Sequence, residues 1–344
     1  MASDHPLAHI APIALTMGDP AGCGPQISSS ALAGLNESGR PPLFAIGVPD
    51  AFSAFGPIEI ISTPKDVFSV ESSRLPVLPV FSEFTNKVIS GQGDPANAQP
   101  VIEAIETAVS LTLSGEASAV VTNPINKAVL YAAGFNHPGH TEFLAALCNP
   151  AAPPKPVMML VGGGLRVALA TIHTSLRSVP HLLTQELLVE IGTITNNALQ
   201  RGFAVAEPKI AFTGLNPHAG ESGTIGTEEI DIINPAAATL RAAGINISDA
   251  RSADTLFAET LGGAFDAVIA MTHDQGLIPV KTLDFWGGVN VTLGLPIVRT
   301  SPDHGTAYEA AAAQTARPDS LIAAIRLAAE IAHNRSRLGS GTVM

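Results

Sequence analysis

Four histidine-bearing stretches carry the chemistry this chain could perform: GHTEF around His140, ATIHTSL around His173, GLNPHAGESG around His218 and AMTHDQGLIPVK around His273. Neutral imidazole is the commonest metal ligand, and three of them on one divalent ion leave coordination positions for a substrate. His173 and His273 each end an apolar, strand-like run, and His218 stands in a loop just past one. Strand ends are where α/β folds place their reactive groups. Asn216, Glu221, Asp274 and Gln275 lie close by in sequence and could orient the rings through hydrogen bonds. His5, His9, His137, His181 and His333 fall in termini, loops or helix surfaces and read as ordinary.

Lys281 and Arg299 follow the apolar, strand-like sequences IPV and LPIV. A cation in such a place is costly unless it is paired. Two readings stand. One is an internal salt bridge with Asp284 or Asp303; the other is a clamp for carboxylate or phosphate, where arginine offers a bidentate fork. The run GDPAGCGP, between a strand and a helix, suits either a phosphate-cradling turn or a tight turn packed closely on its neighbours. It does not match G-x-G-x-x-G, so a dinucleotide would bind without the usual Rossmann fingerprint. Gly162 to Gly164 separate two β-rich runs and read as a hairpin turn.

The elements that must position these groups alternate between strand and helix. HIAPIALTM, LFAIGV, RLPVLPVF, SAVVTNPI, PKIAFTGLNP, FDAVIAMTH and VNVTLGLPIVRTS have strand character, and SAVVTNPI runs into a loop with Asn123, Asn126 and Lys127. ANAQPVIEAIETAVSLTLSG predicts an amphipathic helix with Ile102, Ile105, Ala108 and Leu111 on its apolar side. LTQELLVEIGTITNNALQRGF and SLIAAIRLAAEIAHNRSR predict two more, and TEEIDIINPAAATLRAAG a helix interrupted at Pro235. This alternation, with one internal hairpin, predicts an α/β protein with a mixed sheet.

At 344 residues and 46% hydrophobic, the chain has material for a large core and two lobes. Its formal charge of −12, with no basic run, argues against nucleic acid as a partner, while a small anion needs only a few local cations. Cys23 and Cys148 show neither metal-ligand spacing nor a disulfide framework, which fits a reducing cytoplasm. No signal-peptide pattern and no membrane-length apolar run occur, so a soluble cytoplasmic protein without a membrane partner is expected.

Taken in order, MGDPAGCGP, TNPINK, HPGHTEF, RVALATIHTSL, GLNPHAGESGTIGTEE, SADTLF, MTHDQGLIPVK and GVNVTLGLPIVRTSPDHGTA resemble the 4-hydroxythreonine-4-phosphate dehydrogenase family of bacterial pyridoxal phosphate biosynthesis. The resemblance runs from about Ile13 to the final helix. It implies an α/β fold like that of isocitrate and isopropylmalate dehydrogenases, with two lobes around a central cleft and a mixed sheet. Lobe 1 would comprise residues 1–130 and 290–344 on the cofactor side, and lobe 2 residues 131–289 on the metal, substrate and dimer side. A homodimer would complete each active site at the subunit interface.

The resemblance further implies NAD or NADP and one divalent ion (zinc, magnesium or cobalt) held by His173, His218 and His273. Substrate-binding positions fall on His140, Thr141, Lys281, Asn290 and Arg299, with Lys281 and Asp274 as catalytic candidates. The SPDHGTA stretch is similar to the loop that holds the cofactor's adenosine end, which points to His304, Gly305, Thr306 and Ala307. The implied reaction oxidises 4-phosphooxy-L-threonine to 2-amino-3-oxo-4-(phosphooxy)butanoate, which decarboxylates to 3-amino-2-oxopropyl phosphate. Departures are Cys23 and Gln26 where the family has an apolar residue and glutamate, and Thr272 where it often has tyrosine. The alternatives are a sister dehydrogenase acting on D-threonate or D-erythronate 4-phosphate or on a dihydrodiol carboxylate, and, more remotely, a three-histidine metallohydrolase.

Overall fold

Short strands, mostly apolar at the centre of each sheet region, are the framework. A computed structural model describes residues 10–36, 39–137 and 139–339; His5 and His9 lie outside them. Twelve strands run in chain order: β1 (Ile13–Thr16), β2 (Leu43–Gly47), β3 (Ile58–Ile60), β4 (Leu75–Pro79), β5 (Ala119–Thr122), β6 (Val157–Gly162), β7 (Leu165–Leu169), β8 (Ile210–Thr213), β9 (Ile247–Arg251), β10 (Ala267–Ala270), β11 (Val289–Leu293) and β12 (Arg299–Pro302). In β1, β2, β5, β8 and β10 every residue is buried. Strands covered on both faces read as continuous apolar runs, which is why the sequence showed runs and little alternation.

The chain divides into two compact units, residues 1–156 with 295–344, and residues 157–294. The expected boundaries at 130/131 and 289/290 therefore move, and His140 and Thr141 belong to the same unit as Arg299. In the first unit β3, β4, β2, β1, β5 and β12 lie side by side, all parallel. The helix Ala98–Leu113 covers part of this sheet with Val101, Ala104, Ile105, Ala108 and Val109. That stripe has the i, i+3, i+4, i+7, i+8 spacing of one helix face. Ile102 and Leu111, expected on the apolar side, are only half-buried at its margins, because small residues let the helix approach the sheet along the alanine row.

The second unit is mixed: β11, β6 and β7 are antiparallel neighbours, and β7, β10, β8 and β9 are parallel. Together the units give the α/β class with a mixed sheet. Gly163 and Gly164, with φ of 58° and 84°, form the two-residue turn between β6 and β7, the left-handed pair that a tight hairpin requires. Pro235 opens the helix Asn234–Ala242, and TEEIDII before it forms a single π turn, Glu229–Ile233. HDQGLIPVKTL is helical, His273–Leu283, despite Pro279 inside it. Lys281 accordingly stands on a helix and not on the strand-like run expected from IPVK.

Candidate functional site

Three neighbouring parallel strands of the second unit, β7, β10 and β8, each deliver one histidine past their carboxyl ends. His173 comes four residues after Leu169, His273 three after Ala270, and His218 five after Thr213. The carboxyl end of parallel strands is the side on which α/β sheets bind ligands.

β7 and β10 are adjacent, and the rings of His173 and His273 stand 5.6 Å apart between centroids. With Thr171, Thr174, Thr272 and Asp274 they line a cavity of about 190 Å³. His273 begins its helix and is fixed there from two sides. Thr272 caps the helix, exchanging hydrogen bonds with Gln275 in a capping box, a role threonine fills and tyrosine does not. Asp274 Oδ1 lies 2.8 Å from His273 Nδ1, so the ring turns Nε2 away from the carboxylate.

The strand before His218 lies on the far side of β10 from β7, and its turn brings His218 within electrostatic range of Asp254. Asp254 is held below the ordinary carboxylate range mainly by the Ser252 hydroxyl and further by His218. Among the described residues no three His, Cys, Asp or Glu side chains gather closely enough to hold an ion. Two imidazoles facing one cavity, which Ile172, Leu176 and Val179 also line, are a donor type suited to a divalent cation.

Both His173 (φ 37°) and His218 (φ 53°) are left-handed, and Ala219, Gly220, Glu221 and Ser222 continue that conformation. Non-glycine residues held there cost roughly 1–3 kcal/mol each and persist only where the surroundings over-determine them, characteristically at ligand sites. Of the four orienting candidates, Asp274 bonds the His273 imidazole. Gln275 caps its helix and donates to Gly214 O at 3.0 Å. Asn216 Nδ2 donates to Glu228 and Glu229, and Glu221 accepts from Thr224 Oγ1 through its backbone oxygen.

Lys281, half-buried, holds its Nζ 5.8 Å from the centre of the Phe285 ring. Seven residues separate it from Asp274, which places the two on one helix face roughly 10 Å apart. Asn290 on β11 has a buried Oδ1 without a hydrogen-bond partner among the described residues. A buried acceptor left so is unusual.

In the first unit Arg299 opens β12 and is buried. Its Nε and Nη2 donate to Thr122 Oγ1, at 3.2 and 2.6 Å. Desolvation lowers the guanidinium to about 10, which leaves it charged at neutral pH. His140 begins the helix His140–Cys148, and its Nε2 is enclosed with no hydrogen-bond partner among the described residues. Burial above all, then Arg299 and Lys127, holds this imidazole well below its ordinary value, so it is neutral at pH 7. The helix carries no side-chain cap at Gly139, and Glu142 of its first turn lies beside that start: a Cβ built on Gly139 would meet Glu142 Oε2 at 2.6 Å and Lys127 Nζ at 3.6 Å. Lys127 and Thr122 were not among the expected binding residues; the TNPINK run, with a lysine at a helix start just past a strand, was the signal for Lys127.

His304, Gly305, Thr306 and Ala307 form one surface loop, with Ala307 left-handed at φ 47°. Its inner side is fastened to the first glycine-rich turn: Cys23 N donates to Thr306 O at 2.8 Å, and Cys23 Sγ lies 3.7 Å from Gly305 O. Tyr308 Oη donates to Asp19 Oδ2 at 2.6 Å. On the outer side a Cβ added at Gly305 would meet nothing within 4 Å, which suits close approach by a planar ligand. In the first turn the glycines serve packing, since a Cβ at Gly24 would meet Met17 O at 2.5 Å.

Comparison with known proteins places the chain in a family. Residues 50–328 match the family model described as pyridoxal phosphate biosynthetic protein PdxA. The chain is 51% identical to 4-hydroxythreonine-4-phosphate dehydrogenase of Maricaulis maris over 96% of its own length and all of that protein. It is 50% identical to the enzyme of that name from Caulobacter vibrioides, over 94% and 98%. Among solved structures it is similar to 4-hydroxythreonine-4-phosphate dehydrogenase from Klebsiella pneumoniae, with TM-score 0.85 and 36% identity, over 94% of this chain and 99% of that one. A terephthalate 1,2-cis-dihydrodiol dehydrogenase from Burkholderia xenovorans is also similar, with TM-score 0.66 and 27% identity, over 94% and 98%.

Proposed function

This chain belongs to the pyridoxal phosphate biosynthetic protein PdxA family, and on that footing we propose that it oxidises 4-phosphooxy-L-threonine at C3 with NAD or NADP as hydride acceptor. The observation that carries the reading is the cation cluster of the first unit: a buried Arg299 and Lys127 both act on a neutral His140, whose Nε2 has no hydrogen-bond partner among the described residues, at the start of the helix that also holds Thr141. Charge-assisted hydrogen bonds from such a set suit a phosphate ester.

The C3 hydroxyl gives up its proton while the C3 hydrogen leaves as hydride to nicotinamide C4. Lys281 is the group we assign to the proton, with Asp274 holding His273. The product, 2-amino-3-oxo-4-(phosphooxy)butanoate, carries its carboxylate β to the new ketone. Loss of carbon dioxide breaks C1–C2 and leaves the electron pair on C2, delocalised onto the C3 oxygen. Protonation at C2 gives 3-amino-2-oxopropyl phosphate. Asn290, with its orphaned acceptor, would take a hydrogen bond from the substrate. His304, Gly305, Thr306 and Ala307 would seat the adenosine end of the dinucleotide.

A divalent ion (zinc, magnesium or cobalt), held by His173, His273 and His218, would supply a lowered pKa to a hydroxyl bound to it. Because one chain gathers two of these imidazoles, the reading includes a homodimer that completes the site at the subunit interface. Exposed Ile278, Phe285 and Trp286, on and just beyond the His273 helix, give such an interface apolar material. No described helix is long and apolar enough to cross a membrane, and we assign the protein to the cytoplasm.

The test is nicotinamide reduction with a panel of phosphorylated hydroxy acids, with and without added divalent ions, against NAD and NADP separately. Turnover of 4-phosphooxy-L-threonine well above the others is expected. The likeness to a dihydrodiol dehydrogenase keeps a second reading in the same assay: activity on an unphosphorylated dihydrodiol carboxylate, with none on phosphorylated substrates, would replace the first.

A further inference from the structure

The turn that carries His218 is built around one side chain that no reading so far has used. Glu229 is buried at 2% exposure. Its Oε1 accepts from Leu215 N and Asn216 N, both at 2.8 Å, and its Oε2 from Asn216 Nδ2 at 3.0 Å. Glu228 takes a second hydrogen bond from Asn216 Nδ2 at 2.7 Å. The carboxylate therefore grips the chain immediately before Pro217 and His218.

The sequence leaves room for that grip. A Cβ on Gly214 would come within 3.0 Å of Glu229 Oε1, and one on Gly220 within 2.5 Å of Oε2. A Cβ on Gly226 would strike the Asn216 amide. Three glycines thus wrap the Glu229–Asn216 pair, while His218, Ala219, Glu221 and Ser222 stand left-handed between them. A strained turn of this length holds its shape only if its ends are fixed, and the carboxylate fixes the leading end.

We propose that Glu229 is a positioning residue: its buried carboxylate sets the left-handed turn that aims His218, and so tunes affinity for the divalent ion without touching it. The inference rests on the reading of His218 as a ligand. Its own content is the hydrogen-bond hub and the turn.

The test is Glu229→Gln. Glutamine keeps an acceptor for the two backbone amides but sets its own NH₂ against the Asn216 NH₂. Two readouts are taken on the full chain. In metal-free protein, hydrogen–deuterium exchange of the segment from Leu215 to Gly226 should quicken at least tenfold, with the rest of the second unit unchanged. In a cobalt titration followed by visible absorption, affinity should fall about tenfold, and the cobalt needed for half-maximal activity should rise in step. Unchanged exchange and unchanged cobalt affinity would overturn the proposal, as would a lowered Tm with both readouts at wild-type values.

His218→Ala separates the two layers. If that variant keeps wild-type cobalt affinity, the ligand reading fails whatever Glu229 does. If it loses cobalt while Glu229→Gln does not, the positioning role fails alone. Should Glu229→Gln not yield folded protein, Asn216→Ala, which withdraws only the side-chain donor, is carried through the same two measurements against the same criteria.

Discussion

Arg299, the first residue of β12, donates from both Nε and Nη2 to the hydroxyl of Thr122, the last residue of β5, across a parallel strand pair 177 residues apart in sequence. On the reading of this guanidinium as an anion contact, substitution there should act on substrate affinity. Arg299→Ala is expected to weaken binding of the phosphorylated substrate by about 2–5 kcal/mol, roughly 30- to 4,000-fold, with the dinucleotide KM little changed. Steady-state kinetics with each substrate varied in turn check this. Equal loss for both substrates would point to a disturbed fold.

His140 makes a pH signature. Its folded-state pKa lies well below the ordinary 6.5, through burial first and then the charges of Arg299 and Lys127. The unfolded chain takes up a proton as pH falls through about 6.5 while the folded chain does not, so protons favour unfolding there. Stability should decline as pH drops from about 7 toward the depressed folded value, and His140→Asn should flatten that decline. Urea midpoints of both proteins between pH 5 and 7.5 measure it. Parallel slopes would remove His140 as the source.

The inner strands were legible because each lies in an apolar run stopped by a turn; the edge strands β3 (IEI) and β9 (ISDAR) were not, because their half-exposed residues leave no such run. Gly163 and Gly164 even specified the hairpin between β6 and β7. The helix that carries His273, Asp274 and Lys281 was not legible. Pro279 stands inside it, and the run LIPV has strand composition; the Thr272–Gln275 capping box is the local signal that decides for helix. The pairing of His173 with His273 depends on β10 lying between β7 and β8, a fact of strand order that no local pattern encodes. Thr122 was invisible for a similar reason, since its value comes from Arg299, 177 residues away.

Asp274 and Lys281 can be told apart by metal dependence. Asp274 bonds His273 Nδ1 at 2.8 Å, the contact that fixes which ring nitrogen is left to a cation, and loss of such a partner typically costs 10- to 100-fold in metal affinity. After chelation and graded return of cobalt, Asp274→Ala should need about 10–100 times more ion, yet approach wild-type kcat at saturation. Lys281→Ala should bind cobalt normally and stay slow at every concentration. Recovery of Lys281→Ala by metal, or persistent failure of Asp274→Ala at saturation, would exchange the two roles.

Gly22 offers a way to move the proposed dinucleotide loop without touching its surface. A Cβ built on Gly22 would stand 3.0 Å from Thr306 O and 3.1 Å from Thr306 Cβ, closer than packed carbons settle. The hydrogen bond from Cys23 N to Thr306 O, one residue on, keeps the turn from backing away. In Gly22→Ala the loop of His304, Gly305, Thr306 and Ala307 must therefore shift outward by a few tenths of an ångström. Misplacement of about 1 Å costs roughly a hundredfold in a preorganised site, so a shift of this size should raise the dinucleotide KM about 3- to 10-fold. The substrate KM should hold, because Arg299 and His140 are not in this contact, and Tm should fall by no more than a few degrees. A lowered Tm with an unmoved dinucleotide KM would give residues 304–307 a packing role and send the search for the adenosine seat elsewhere on the first unit.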